Sequence, residues 1–398
     1  MKKILILGGA WSQVPAIIRA KEMGYYVVTC DYLPDNPGHK YSDEYVNVST
    51  IEIEKVVDVA KTKNIQGVIA YASDPAAPTA AYICEKMNLS GSSYNTTKML
   101  CEKDLFRIFQ KKNGFCTPWF FAVKSIDEGL EYGLDIDFPC VVKPVDSSGS
   151  KGITVVHSQN EYKDAIEKAF QYTRCGRVIV EEYIHSPYAQ IHGEGIVVNK
   201  KLQFTALGDQ RFRKSVPIGT SLPSSLDSIK MQKVTEEVAR FIECSGFEYG
   251  GLNIEVRLTE NDDIYIIEIG PRTGGNYMPQ LAELATGVCE MDIVLNLAMG
   301  QECCIRYSGI MQYCFQYIVG SKKRGYFKEI YIDEYIRKKV VKKYIHKKRG
   351  DVVDEYENSS GVVGVILLKF SNAHEMEKDI REIEQHIEVI VQEAEYEK

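Results

Sequence analysis

The stretch Gly251–Asn276, GLNIEVRLTENDDIYIIEIGPRTGGN, decides how the rest of the chain is read. Asn253 to Leu258 alternates polar and apolar residues, Thr259 to Asp263 carries turn formers, and Ile264 to Ile269 is a dense apolar run. This pattern predicts a β-hairpin, because period-two alternation buries one face while Thr, Asn and Asp favour the reversal. Centred between Asn261 and Asp262, the hairpin sets Glu255 opposite Glu268, with Cβ atoms roughly 5 Å apart. Two carboxylates that close repel each other unless a proton or cation lies between them. A doubly negative oxygen pair suits Mg²⁺ (or Mn²⁺), with the other positions left to phosphate and water. Arg272 follows on a glycine-rich turn and brings a cation beside the pair. Such a set suits phosphoryl transfer, whose catalysis is mostly positioning and charge neutralisation. On these residues alone, a surface hairpin with solvated glutamates is the alternative.

The 398 residues are enough for two or three domains, and 44% hydrophobic with 26% charged residues is ordinary for a soluble globular chain. A net charge of −7 gives no general attraction to nucleic acid or anionic membrane. Eleven cysteines without a C-x-x-C pair are expected to be free thiols in a reducing cytoplasm. The apolar run Ile4 to Leu7 is too short for a signal peptide, and Gly361 to Leu368 is too short to span a bilayer.

The first hundred residues read β-α-β: a buried strand from Lys3, the turn Gly8-Gly9, a helix from Val14 to Met23, and a strand Val27 to Asp31. A parallel sheet with ligands at its strand C-termini follows. The turn lacks G-x-G-x-x-G, so a dinucleotide site is disfavoured. Gly67 to Tyr71 is a further strand, and Ser73 and Asp74 at its C-terminal end are substrate candidates, helix capping being the alternative.

Farther on, Phe138 to Pro144 is a strand ending in Lys143-Pro144, and Ser147, Ser148, Gly149, Ser150, Lys151 and Gly152 form a loop of small residues. Such a loop can close backbone N–H groups around phosphate oxygens, with Lys143 and Lys151 adding charge. It is not a P-loop, since its spacing differs and a strand follows. After a helix from Glu161 to Tyr172, the strand from Arg177 runs into Glu181, Glu182, Tyr183 and Ile184, a hinge that could meet a purine edge. Gly208 to Lys214 and Ser215 to Ser225 read as a long polar loop, with Arg211 and Arg213 as candidates for a substrate carboxylate or phosphate.

Taken in order, these residues resemble the ATP-grasp superfamily over most of residues 1–300. The resemblance implies that Lys103 and Lys143 are ATP lysines, that Ser147 to Gly152 is the flexible phosphate loop, and that Glu181 to Ile184 is the adenine hinge. It makes Glu255 and Glu268 the Mg²⁺ acids and Arg272 the arginine that follows them. Many members carry an asparagine where this chain has Gly270, which leaves Asn253 or Asn276 as replacements at a second metal position; Asn276 is also a substrate candidate. The usual ribose acid is missing, and Gln190 replaces it, with His192 and Glu194 as alternatives.

The implied fold is α/β and α+β: an N-terminal parallel unit at 1–97, an ATP-grasp module at 98–309 with a lid at roughly 118–184, and an α+β unit at 310–398. In the last unit Gly361 to Phe370 reads as a strand and Ala373 to Val391 as an amphipathic helix. The basic, tyrosine-rich stretch Lys322 to Arg349 reads as a solvated face rather than a nucleic-acid surface. The expected activity is a carboxylate–amine ligase that uses ATP and small-molecule carboxylate and amine substrates through an acyl phosphate. A bicarbonate-using carboxylase and a non-catalytic ATP-binding or nucleic-acid-binding protein are the alternatives. A homodimer is the default assembly.

Overall fold

Strands Lys3–Leu7, Tyr26–Asp31, Glu44–Asn47 and Gly67–Ile69 form a parallel four-stranded sheet, in which Lys3–Leu7 lies between Tyr26–Asp31 and Gly67–Ile69. Ile4 to Leu7 are all fully buried, as a central parallel strand covered on both faces requires. The computed structural model describes residues 1–213 and 216–392 of the chain.

The segment expected to form the lid is an antiparallel sheet in the order Phe120–Val123, Val178–Glu182, Cys140–Pro144, Thr154–Val156. Helix Gln159–Tyr172 packs on it through Tyr162, Ala165, Ile166 and Ala169, an i, i+3, i+4, i+7 stripe. The largest sheet has eight strands: Ile264–Gly270, Tyr249–Leu258, Gln190–Val198, Lys201–Arg213, Val216–Leu222, Cys314–Gly320, Val362–Lys369 and Val340–Ile345. It runs unbroken across residue 310, so Cys314–Gly320, Val362–Lys369 and Val340–Ile345 extend the same sheet that carries the glutamate hairpin. A small sheet of Val352–Val353, Gly325–Ile332 and Ile387–Gln392 packs beside it. The fold is thus a mixed α/β and α+β one, with a parallel unit followed by antiparallel sheets. Among the described residues no helix is long and apolar enough to cross a membrane.

Two expectations need correction. The polar stretch from Gly208 is no loop: it ends the thirteen-residue strand Lys201–Arg213, which pairs with Val216–Leu222. Its polarity has a two-sided cause, since Gln210 and Phe212 line the central cleft while Asp209 and Arg211 face the opposite way into ion pairs. Lys214 and Ser215 lie outside the described residues. The helix expected from Ala373 to Val391 is instead two short helices, Ala373–Arg381 and Ile383–His386, followed by the strand Ile387–Gln392. Buried Ile387 and Val389 flank exposed Glu388 there, and that period-two alternation of β-branched residues outweighs helix propensity.

Candidate active site

The hairpin forms from strands Tyr249–Leu258 and Ile264–Gly270, and Glu255 faces Glu268. The reversal is centred on Asn261, because Leu258 pairs with Ile264 and Val256 with Ile266. That register alone would set Glu255 against Ile267. One extra residue, Ile267, bulges from the second strand and restores the Glu255–Glu268 pairing. The bulge is braced: Gln110 Nε2 donates to the Ile266 carbonyl at 2.8 Å and Arg107 Nη2 to the Ile267 carbonyl at 3.0 Å.

Burial pushes the Glu255 carboxyl up to about 7, and the facing Glu268 adds to the rise. A pair so destabilised as two anions is one that a divalent cation stabilises, so the residues fit Mg²⁺. Among the described residues no group of three or more His, Cys, Asp or Glu side chains could hold a metal. A cation held there would have two ligand residues from the pair and would take its remaining oxygens from outside the protein.

Arg107 also reaches the Lys143 end of the site. Fully buried on helix Lys103–Lys112, it donates from Nε to Glu181 Oε2 at 3.0 Å, and Glu181 in turn pairs with Lys143. Burial opposes charge on Glu181, but Arg107 and Lys143 outweigh it and hold the carboxyl at about 2. Burial lowers Lys143, and Glu181 counters that. One buried network thus ties the lysine to the hairpin bulge. Lys103 opens its helix after a break at Glu102 and donates from Nζ to the Ser147 carbonyl at 2.7 Å. In the small-residue loop Gly149, Ser150 and Gly152 all have positive φ (68°, 61° and 74°), the left-handed region that glycine adopts freely and serine rarely. Asp146 anchors the loop's base by accepting from Thr173 Oγ1 at 3.0 Å and the Cys175 N–H at 2.9 Å.

Arg272 meets Asp74 through two bonds, Nε to Oδ1 at 2.8 Å and Nη2 to Oδ2 at 2.6 Å. Burial works against the Asp74 charge, but Arg272 holds that carboxyl below its ordinary value. A Cβ on Gly270 would lie 3.1 Å from Asp74 Oδ1 and 3.2 Å from Arg272 Cζ, so a bare glycine there makes room for the ion pair. Glu255, Glu268, Arg272, Asp74, Lys103, Lys143 and the 147–152 loop all line one open cleft of about 2100 Å³ between the lid and the large sheet.

A family model described as the ATP-binding domain of the carbamoyl-phosphate synthase L chain matches residues 102–305, half of the chain. The chain belongs to this ATP-grasp family. The L-amino acid ligase of Bacillus licheniformis superposes on this ATP-grasp chain with a TM-score of 0.84, 23% identity, and coverage of 98% of this chain and 99% of that one. Among curated relatives, the uncharacterized protein y4rH of Sinorhizobium fredii is 25% identical over 270 residues, 65% of this chain and 55% of its own length. The N-terminal section of the carbamoyl phosphate synthase large chain of Methanopyrus kandleri is 29% identical over 219 residues, 53% of this chain and 38% of that entire relative. The chain spans about half or less of these two relatives.

In the ATP-grasp cleft the remaining candidates take distinct places. Ser148, Lys151, Glu182, Tyr183 and Ile184 line it. Gln190 also lines it and donates to Glu255 Oε2 at 2.9 Å while accepting from Arg257 Nε at 3.0 Å, beside the carboxylate pair. Asn276, with φ 51°, forms part of the wall beyond Arg272. Ser73 is not among the lining residues, unlike its neighbour Asp74. Arg211 also falls outside the cleft, because Glu377 and Asp209 hold it on the far face of its strand. Arg213 reaches the cleft but pairs with Glu384 at 3.0 Å and donates to the Tyr356 carbonyl. Neither arginine is therefore a free carboxylate ligand. Asn253 donates to His192 Nε2 at 3.0 Å and to Glu194 Oε1 at 3.4 Å, and so is not directed to a second metal position. Glu194 is fully buried and cannot meet a ribose.

Sequence reasoning missed Arg107 and Gln110. The helix from Lys103 carries Arg107 and Gln110 three residues apart on a face with Phe106, all buried. A cation and an amide on the apolar side of a helix were the available signal, since buried charges are paired.

Proposed function

We propose that this chain is an ATP-dependent carboxylate–amine ligase acting on small molecules. The reading rests on one observation: the Glu255–Glu268 pair, Lys143 and Arg272 converge on a single cleft that also reaches the C-terminal edge of the parallel sheet, at Ala10 to Ser12 and Asp74. Nucleotide and acceptor chemistry thus share one space. The whole-chain likeness to an L-amino acid ligase supports an amino acid as one substrate.

Lys103, Lys143 and the 147–152 loop hold the nucleotide phosphates, and the 181–184 segment borders the base. A bound Mg²⁺ on Glu255 and Glu268 would neutralise phosphate charge. The substrate carboxylate attacks the γ-phosphorus, the bond to the bridging oxygen breaks, and ADP leaves. An amine then attacks the acyl carbon, inorganic phosphate departs, and the nitrogen loses a proton to give the amide. Arg272, oriented by Asp74, stabilises negative charge on the transferring phosphoryl group, the role of a preorganised cation in a partly dry site.

The test is ADP release with Mg-ATP against pools of amino acids and small carboxylates, each with and without bicarbonate, with products read by mass spectrometry. An amino-acid-dependent ADP signal with a new amide mass is the expected result. Release that requires bicarbonate and yields a carboxylated product would replace the ligase with a carboxylase.

A further inference from the structure

Behind the Arg272 turn lie two carboxyls that the proposed chemistry does not use. Glu194, on strand Gln190–Val198, and Glu290, in the first turn of helix Glu290–Ala298, are both fully buried and meet each other. The N–H donors that reach the pair all meet Glu194. The Gly274 N–H lies 2.9 Å from each of its oxygens, the Asn253 amide lies 3.4 Å from Oε1, and the Arg272 charge is near. Glu290 has none: among the described residues neither of its oxygens has a hydrogen-bond donor. The other titratable groups around the pair do not supply one. Tyr71 accepts from Gln280 at 3.4 Å, Arg272 is bonded to Asp74, and His192 is reached only through Asn253.

Two anions in contact, one without any donor, would not persist in such an interior. A single proton resolves both difficulties, and the distribution of donors says which carboxyl carries it. We infer that Glu290 is a neutral carboxylic acid whose O–H donates to an ionised Glu194, making Glu290 a positioning residue for the Arg272 turn. The linkage is short: Glu290 orients Glu194, Glu194 grips the Gly274 N–H, and Gly274 lies two residues beyond Arg272. Burial raises both groups, Glu290 far above the carboxylate range and Glu194 only to about 7, where the Gly274 N–H restrains it. Two glycines record the fit. A Cβ on Gly274 would fall 2.1 Å from Glu194 Oε1, and one on Gly251 would fall 3.0 Å from Glu290 Oε1.

The placement of the proton is independent of the reaction, whereas the positioning role rests on the ligase reading, so the two are tested separately. Infrared spectra of the full chain at about pH 8, above the Glu194 value, should show the carbonyl stretch of a neutral carboxylic acid. That band should vanish in Glu290→Gln and persist in Glu194→Gln. No band in the wild type, or one that survives Glu290→Gln, overturns the inference whether or not the protein is a ligase. Glu290→Gln keeps an N–H donor in the same place, so its turnover in the ADP-release assay should stay within about twofold of wild type, while Glu290→Ala should lose about tenfold or more. Glu290→Gln as impaired as Glu290→Ala, or Glu290→Ala as active as wild type, would overturn the positioning role.

Discussion

Lowering the pH from about 8 to about 6 should weaken divalent-metal binding at the Glu255–Glu268 pair about tenfold. Burial and the facing carboxylate push Glu255 up to about 7, and a proton there competes with a cation. At about pH 6 roughly nine-tenths of the sites hold the proton, and at about pH 8 roughly one-tenth. The tenfold change in metal-ready sites is about 1.4 kcal/mol of apparent affinity. The direction for stability is fixed by the same shift. The folded chain keeps a proton that the unfolded chain loses between the ordinary 4.5 and about 7, so the contribution of Glu255 to metal-free stability falls as pH rises through that window. The assay is Mn²⁺ binding followed by electron paramagnetic resonance without nucleotide, which removes titration of the triphosphate from the measurement. Glu255→Gln should bind more weakly and show no such pH slope. An affinity flat between the two pH values, or an unchanged slope in Glu255→Gln, would refute the reasoning.

Other variants probe the rest of the cleft. Arg272→Ala should bind ATP normally yet lose about a hundredfold in turnover, as loss of a transition-state cation costs roughly 3 kcal/mol; unimpaired ADP release would remove Arg272 from the chemistry. Glu181→Gln leaves Arg107 and Lys143 facing each other without their shared anion, so denaturant unfolding should report a loss of roughly 3–5 kcal/mol, and a loss under about 1 kcal/mol would count against the network. Because Glu181 is depressed to about 2, the stability it brings is present above its ordinary 4.5 and should disappear as the pH falls toward 2 in an acid titration of the wild type. Asp74→Ala strips the Arg272 guanidinium of both of its carboxylate bonds, and the same unfolding measurement should show a loss of roughly 3 kcal/mol.

Much of this was legible in the chain because the signals were local. Alternation around a polar turn identified the hairpin, and the run of small residues after Lys143-Pro144 marked a loop that does line the cleft. The pairing of Glu255 with Glu268 was anticipated, but from a turn centred half a residue away; the bulge at Ile267 that rescues it depends on Arg107 and Gln110, more than 150 residues earlier. Long-range partners of that kind leave little periodic trace. The stretch from Asp209 to Arg213 misled for a related reason. Its polar residues satisfy a cleft on one side and the acids Glu377 and Glu384 on the other, and neither acid can be seen from the strand itself. Composition reads such a strand as solvent-facing. Glu194 misled in the same way: read as a ribose candidate, it is fully buried against Glu290, a partner on a helix nearly a hundred residues later.

The unbroken eight-stranded sheet has a consequence for how the protein is made. Strand Val216–Leu222 pairs on one side with Lys201–Arg213, synthesised just before it, and on the other with Cys314–Gly320, which leaves the ribosome much later. In the interval its outer edge presents unpaired backbone groups, and Cys314–Gly320 in turn waits for Val362–Lys369. Open edges of this kind recruit other strands, including those of neighbouring nascent chains. A translation product stopping near residue 310 would therefore hold every candidate catalytic residue and still be a seed for aggregation rather than a smaller enzyme.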